Sequence, residues 1–451
     1  MSEVIRIKKG LDINLEGKAD KIYQRAERAS TYAVKPTDFH GIRPKLVVKP
    51  GDEVKVGTAL FFDKYNPDTM FTSPVAGKVK TINRGERRKI LEVVVEPAAE
   101  DSYEKFQVKD PDGMERDEII SLLKKSGLWP SMKQRPYATI ADSEKLPKSI
   151  FISGFDSSPL APDIDFIIKD HASEFQKGID VISRLTEGKV HLSLNADYPS
   201  CKTYSDARGV EKHYFQGPHP SGNPGIQIHH IDPVIKGQYA WYIAPLDVVR
   251  IGQLFLNGTL DNNTVVALTG SEVEKPVYYK MIRGAAVESI ISGNLKNNEN
   301  NRIISGNVLT GDAITKVGHL GYYHNQVTVI PEGNYHEFIG WALPGFSKYS
   351  ISRSFFTWLM PKKEFTLDTN LHGGKRAYVF TGEYDKVLPM DIFPVHLIKS
   401  ILYEDIDEME KLGIYEVAEE DFALCEFVCT SKTDVQQILR KGLDLMKKET
   451  E

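Results

Sequence analysis

The chain has 451 residues and is predicted to fold as a multidomain α/β protein. Three observations carry this. Residues 39–96 alternate short β-rich runs with Gly and Pro punctuation. Residues 148–195 read strand, helix, strand, which is the unit of a parallel sheet. The C-terminus carries Val435, Ile438, Leu439 and Leu443 at helical spacing. A single core stops growing at roughly 250–300 residues, so three or four domains are expected. They are placed at 1–102, 103–255, 256–333 and 334–451.

Composition narrows the function classes. Hydrophobic residues make up 41%, enough for ordinary cores, and the net charge of −5 speaks against nucleic acid as a partner. The cysteines, Cys201, Cys425 and Cys429, form no disulfide framework and suit a reducing compartment. Residues 1–6 lack the apolar core of a signal peptide. No apolar run reaches the roughly 18 residues that a membrane span needs. A cytoplasmic chain is expected, peripheral if it meets a membrane.

In the first domain, Pro50-Gly51-Asp52-Glu53-Val54 and Gly57 precede Ser73-Pro74-Val75-Ala76-Gly77-Lys78-Val79. Gly51, Gly57 and Gly77 supply turns between strands. The pattern resembles the biotinyl/lipoyl-attachment β hammerhead. Such domains carry a Lys at a hairpin tip, but here Pro67 falls at that place and Lys64 lies outside the frame. A structural domain without covalent cofactor is expected, with Lys64 acylation as the alternative.

In the second, Rossmann-like α/β domain, residues 148–154 and 189–195 are strands. Phe175, Ile179, Ile182 and Leu185 mark one face of a helix over 171–187. A phosphate site would need a Gly-rich turn at a helix start. The stretch 127–136 instead holds Trp129, Pro130, Met132 and Pro136, which obstruct close backbone approach. Residues 217–225 form a stiff Pro/Gly loop, either shaping a pocket or a docking surface or merely connecting, before a strand expected at 226–234. On that strand His229 and His230 would face opposite sides and share no metal.

Strands at 264–270 and 276–281 and a helix at 285–291 resemble a soluble-ligand-binding β-grasp (SLBB-like) domain, followed by an exposed polar loop at 294–301. In the C-terminal, mainly helical domain, residues 345–361 mix cations with aromatics: Lys348, Tyr349, Arg353, Phe355 and Trp358. They read as an apolar interface or a slot for a flat ligand; alternatively Phe355, Trp358 and Leu359 are the core stripe of a helix. Thr433 and Gln436 have capping-box spacing. Cys425 and Cys429 match the last two of four thiolate positions in a ferredoxin-type frame, at offsets of roughly 0, 3, 6 and 10. Glu419 and Phe422 occupy the first two, and a phenyl ring cannot ligate iron. Two readings stay open: a degenerate Fe–S frame, or ordinary cysteines of a buried helix.

Taken in order, these pieces resemble the A-subunit family of the sodium-translocating NADH:quinone oxidoreductases. The matching residues are 5–12, 217–234, Leu371-His372-Gly373-Gly374-Lys375-Arg376, Leu388-Pro389-Met390-Asp391-Ile392-Phe393-Pro394 and 420–425, and the resemblance spans the whole chain. That family is similar in turn to the flavin subunit of complex I and to the cluster-bearing peripheral subunit of the Rnf complex. The Rnf relative's first cluster frame falls here on Tyr378, Thr381, Tyr384 and Leu388, without a thiolate. The flavin loop and both cluster frames thus look vacated.

The resemblance implies a peripheral subunit on the cytoplasmic face of the bacterial inner membrane, without a transmembrane helix. It implies a six-subunit complex, with docking chiefly to the large membrane flavin subunit. Ubiquinone or menaquinone is the implied substrate, with NADH, FAD, FMN and Fe on partner subunits and no cofactor, metal or catalytic residue on this chain. Lys348, Tyr349, Arg353, Phe355 and Trp358 are the candidates for quinone contact. A purely architectural role and a stand-alone flavin or Fe–S electron carrier are the alternatives.

Overall fold

The structure, a computed structural model, describes residues 4–297, 299–340 and 344–450. Residues 1–3, part of the start that lacks a signal-peptide core, and Asn298 of the expected polar loop lie outside the described residues.

Two small antiparallel sheets enclose the first core. One orders Tyr32–Val34, Ile90–Pro97, Gly77–Arg84 and Glu53–Val54; the other orders Pro44–Leu46, Ala59–Asp63 and Met70–Thr72. Leu60, Phe61, Phe71, Val93 and Val95 fill the space between them, with Phe61 and Phe71 stacked at 4.6 Å. A Cβ at Gly77 would lie 2.0 Å from the Glu96 carbonyl oxygen, so this strand start accepts only glycine. At the hairpin tip Lys64 is exposed, and the Asp63 carboxylate accepts the backbone N–H groups of Arg43 and Tyr65.

The second sheet has the order Val4–Arg6, Glu211–Gln216, Lys189–Asn195, Ser149–Ser153, Ala240–Ile243, Lys133–Arg135. All pairings are parallel except the last, which is antiparallel. Ile150, Phe151 and Ile152 are fully buried, as expected of a central strand covered on both faces. The helix Ala172–Ile182 and the 3-10 turn Ser183–Leu185 bury Phe175, Ile179, Ile182 and Leu185, the four positions their spacing nominates. That helix meets Pro245–Asn257 backbone to backbone. A Cβ at Gly178 would sit 2.0 Å from the Val248 carbonyl oxygen, and one at Gly252 1.8 Å from that of Glu174. Within 127–136, Trp129 turns into the core edge-on to Trp241 at 5.4 Å and donates its indole N–H to the Ala141 carbonyl.

The strand expected at 226–234 is instead the helix Pro224–Ile231, with Asn223 as N-cap residue and Pro224 in its first turn. Proline's fixed φ and missing N–H suit that first turn and override the local β-branched run. His229 and His230 therefore lie about 100° apart on a helix rather than on opposite faces of a strand. His229 Nδ1 pairs with Glu416 at 2.7 Å, and His230 Nδ1 with the Ile226 carbonyl at 2.9 Å.

A third, mixed sheet orders Asp312–Ile314, Asn301–Ser305, Gln326–Pro331, Asn263–Thr269, Val277–Ile282 and Asp20–Arg25. The helix expected at 285–291 shrinks to Glu288–Ile291, because Ala285 and Ala286 pair as bridges with Tyr32 and His319. The 294–301 loop is anchored rather than wholly exposed: Asn294 is buried, bonded to the Lys275 backbone and the Tyr279 hydroxyl.

The C-terminal helices Pro394–Leu402, Ile406–Lys411, Ala423–Val428 and Val435–Thr450 pack around Leu397, Ile398, Met409, Phe422, Leu439 and Leu443. Ile7, Ile13 and Leu15 of the N-terminal arm complete this core. Among the described residues, the backbone N–H groups of the expected capping box go elsewhere. The Gln436 backbone N–H goes to the Glu426 carboxylate at 2.9 Å, and the Thr433 N–H to Cys429 Sγ at 3.4 Å. A tertiary partner has displaced the local cap.

Residues 345–361 do not form a core helix either; their regular part is the 3-10 turn Phe356–Leu359. Trp358 is 50% exposed and Leu359 60%, while Phe355 is half-buried. Ser350, Ser352 and Ser354 hydrogen-bond among themselves, and Ser350 Oγ accepts the Ser354 N–H. Such local bonds compete with helical ones. Among the described residues, no helix is long and apolar enough to cross a membrane.

Candidate functional site

The parallel sheet contains a reversal of strand order. The chain moves outward from Ser149–Ser153 through Lys189–Asn195 to Glu211–Gln216, then returns to the other side of Ser149–Ser153 with Ala240–Ile243. Beyond the carboxyl ends of the two strands flanking such a switch point, open α/β sheets have a crevice suited to ligands. A cavity of about 240 Å³ lies there. Ser153 and Ile243 mark the strand ends, and Lys133, His219, Asn223, Tyr323 and Glu420 are among its walls.

The crevice is built against phosphate. Both helices that start at it, Pro224–Ile231 and Pro245–Asn257, begin with proline, so each lacks one of the free N–H donors that normally hold an anion. The start of the first is moreover filled by the chain's own carboxylate: a Cβ at Gly225 would lie 2.3 Å from Asp421 Oδ2. Asp421 belongs to a buried network. Arg135, fully buried, donates to the Tyr242 hydroxyl at 2.8 Å, to Glu420 at 2.8 Å and to Asp421 at 3.3 Å. Burial pushes the Asp421 pKa up to about 7, against the pull of Arg135.

Beside the carboxylates of Asp156, Asp247 and Glu420, the crevice walls carry neutral and weakly basic donors. Lys133 lies 3.9 Å from the Tyr323 ring centroid, and burial lowers its pKa. No carboxylate pairs with it among the described residues. His219 is buried, its pKa brought down to about 4, and its Nδ1 lies 3.0 Å from Ser157 Oγ. The buried Ser158 hydroxyl has no hydrogen-bond partner among the described residues. This set can donate hydrogen bonds to carbonyl or hydroxyl oxygens. The 217–225 loop thus shapes a pocket wall through His219, Gly222 and Asn223. No sequence pattern singles out Lys133, because glycine content, the phosphate signal of its stretch, says nothing of a buried cation.

The nominated residues Lys348, Tyr349, Arg353, Phe355 and Trp358 lie together elsewhere, and none lines the crevice. The Lys348 ammonium is occupied by Glu337 at 2.5 Å and the Gly340 carbonyl at 2.9 Å, with the Phe355 ring 5.6 Å away. Arg353 lies 5.9 Å from the Trp358 ring, and Tyr349 packs edge-on to Phe365 at 5.2 Å. Around them Phe338, Phe346, Ile351, Phe356 and Met360 are exposed, making a surface rather than a slot.

Cys425 is fully buried in the helix Ala423–Val428, where burial raises its thiol pKa, and Cys429 is 4% exposed. The two sequence frames converge here: Tyr384 and Leu388 of one share a core with Phe422, Cys425 and Cys429 of the other. Tyr378 packs against Tyr384 with centroids 6.0 Å apart. Among the described residues, no group of three ligating side chains includes either thiol. Two thiols packed among rings do not fit a four-thiolate cluster.

Family models match three segments: an NqrA N-terminal barrel-sandwich hybrid domain over residues 5–98, an NqrA second alpha/beta domain over 114–260 and an NQRA C-terminal domain over 265–316. The A subunit of the Na(+)-translocating NADH-quinone reductase of Neisseria meningitidis serogroup B is 40% identical, over 99% of this chain and 100% of that one. That of Yersinia pestis bv. Antiqua is 38% identical with the same coverage. A solved NAD+-reducing [NiFe]-hydrogenase overlaps 67% of this chain and 54% of its own at 10% identity, with a TM-score of 0.35, too weak a likeness to build on. By its end-to-end similarity, the chain belongs to the A-subunit family of the Na(+)-translocating NADH-quinone reductases.

Proposed function

We propose that this chain serves as the peripheral A subunit of a Na(+)-translocating NADH-quinone reductase, on the cytoplasmic face of the membrane. It contributes to quinone binding and to assembly; the flavins, the iron and the NADH chemistry belong to partner subunits. The observation that carries this reading is 40% identity over 99% of the chain with a protein so named. We assign residues 1–102 to a lipoyl-like hammerhead whose N-terminal arm lends strands to the other sheets. The segments 103–255, 256–333 and 334–451 are then a Rossmann-like, a β-grasp and a helical domain. The exposed aromatic surface of residues 338–340 and 344–360 supports docking to the large membrane partner. Membrane-borne quinone meets the complex near that junction. The Arg353 guanidinium and Tyr349 hydroxyl make no hydrogen bond among the described residues, so they are the donors we assign to it, with Phe355 and Trp358 as its apolar walls.

Trp358 is its own reporter. Titration of the full chain with a short-chain quinone should quench tryptophan fluorescence saturably, and W358F should lose most of that quench. An undiminished quench in W358F moves the quinone elsewhere, with the Lys133 crevice the next place to test. No saturable quench in the native chain leaves an architectural role. Stoichiometric flavin or iron in the purified chain would overturn the assignment of those cofactors to the partners.

A further inference from the structure

Away from the crevice, toward the other end of the same sheet, three side chains converge that neither the proposed function nor the fold requires. On adjacent parallel strands, His191 is the register partner of Glu211, and Ser193 that of His213. Residues two apart on a strand share a face, so Glu211 and His213 both stand beside His191. His191 Nδ1 is 3.0 Å from His213 Nε2 and 3.7 Å from Glu211 Oε2, and the three ligand atoms lie within 4.8 Å of one another. Ligands bonded to one tetrahedral ion at 2.0–2.1 Å stand about 3.3 Å apart, so the observed spacings need only small adjustments.

The surroundings orient this set. Lys189 holds the other carboxylate oxygen of Glu211 at 2.5 Å, leaving Oε2 toward the rings. Phe151 packs against the His191 ring with centroids 4.7 Å apart. His191 is buried, His213 half-buried and Glu211 exposed, which gives an entry path from solvent. Two nitrogens at 3.0 Å cannot both point a proton at each other, so one already presents a lone pair. The second becomes a ligand by moving its N–H to the far side of the ring, at no cost in charge.

We propose that His191, His213 and Glu211 form a site for a borderline divalent transition-metal ion, Zn2+ foremost. Imidazole nitrogens with one carboxylate select Zn2+, Co2+ or Ni2+ over Na+ or Mg2+. Three protein ligands leave a fourth position for water or an outside donor, the make-up of an exchangeable site rather than a closed structural one.

The test uses the full chain, stripped with chelator and titrated with ZnCl2 by calorimetry, with metal content read after gel filtration. One equivalent should bind, and Co2+ in its place should give the visible bands of a tetrahedral adduct. H191Q and H213Q should each weaken binding by more than the roughly 10–100-fold that loss of an outer-shell partner costs. H230Q should bind as the native chain does. If a histidine variant does not fold, E211Q at the exposed edge serves, and an unchanged affinity there overturns the three-ligand site. No bound Zn2+ in the native chain, or equal binding in both histidine variants, overturns the proposal outright.

Discussion

The crevice and the exposed surface of residues 338–340 and 344–360 use the same residue types in opposite ways. At the crevice, cation, carboxylate and aromatic ring are drawn inward: Arg135, Tyr242, Glu420 and Asp421 tie the C-terminal segment to the parallel sheet. On the surface, Arg353 and the rings of Phe356 and Trp358 are turned outward with their apolar faces uncovered. The first arrangement meets its charges within the chain, with Arg135 Nε and Asp421 Oδ1 left without a hydrogen bond among the described residues. The second is complete only against something else. Buried charge is tolerated where an opposite charge meets it, and exposed apolar area is tolerated where a partner covers it.

The largest effect expected is at Arg135. Removing one member of a buried ion pair strands the other, so R135A should cost about 3–5 kcal/mol in urea unfolding. R135K should not restore it, since an ammonium lacks the two-pronged geometry. A loss under about 1 kcal/mol would break the contrast, because the network would then be decorative.

Next comes pH. The Asp421 pKa is raised to about 7 when folded, chiefly by burial, so the folded state holds this proton more tightly than the unfolded chain does. Its stabilising contribution is full below about pH 4 and is lost as pH rises through about 7. D421N removes that loss. The Tm difference between variant and native chain should therefore shift in the variant's favour between about pH 4 and 7. A constant difference would mean that Arg135 keeps Asp421 ionised throughout.

The cysteines sharpen the comparison inside the helical core. C425S puts a hydroxyl among apolar groups and should cost about 1–3 kcal/mol. C429S should cost less, because its sulfur already accepts the Thr433 N–H. Electron transfer by an assembled complex carrying both changes should stay nearly intact. A collapse of electron transfer with the chain still assembled would restore a redox role to the pair.

The smallest stability effect is expected at the surface. F356A with W358A should change unfolding free energy by no more than about 0.5 kcal/mol per site. The same variant should co-purify several-fold less with the membrane partners. Loss of stability without loss of assembly would mean that these rings pack in the chain's own core after all.

Legibility followed locality. The helix face through Phe175, Ile179, Ile182 and Leu185 is readable because period and burial agree along one segment. The helix Pro224–Ile231 is not, because a short apolar run does not distinguish strand from helix, and a proline ahead of it also signals a loop. The Thr433 cap fails because Glu426, ten residues before Gln436, supplies the acceptor. Lys133 and Tyr323 are far apart in sequence, and no spacing rule could join them.

By itself the sequence determined the order of the β-rich, parallel α/β, mixed and helical segments. It also determined that residues 127–136 hold no Gly-rich phosphate loop and that three cysteines make no four-thiolate frame, since both depend on residue type at short spacing. Only the tertiary structure decided where the arm strands Val4–Arg6 and Asp20–Arg25 dock, and that Asp421 fills a helix start. It alone decided that the rings of Phe346, Phe356 and Trp358 stay outside and that His191 meets His213 across two strands. Those outcomes rest on contacts between residues distant in the chain, whose pairing is set by which cores close together rather than by any local pattern.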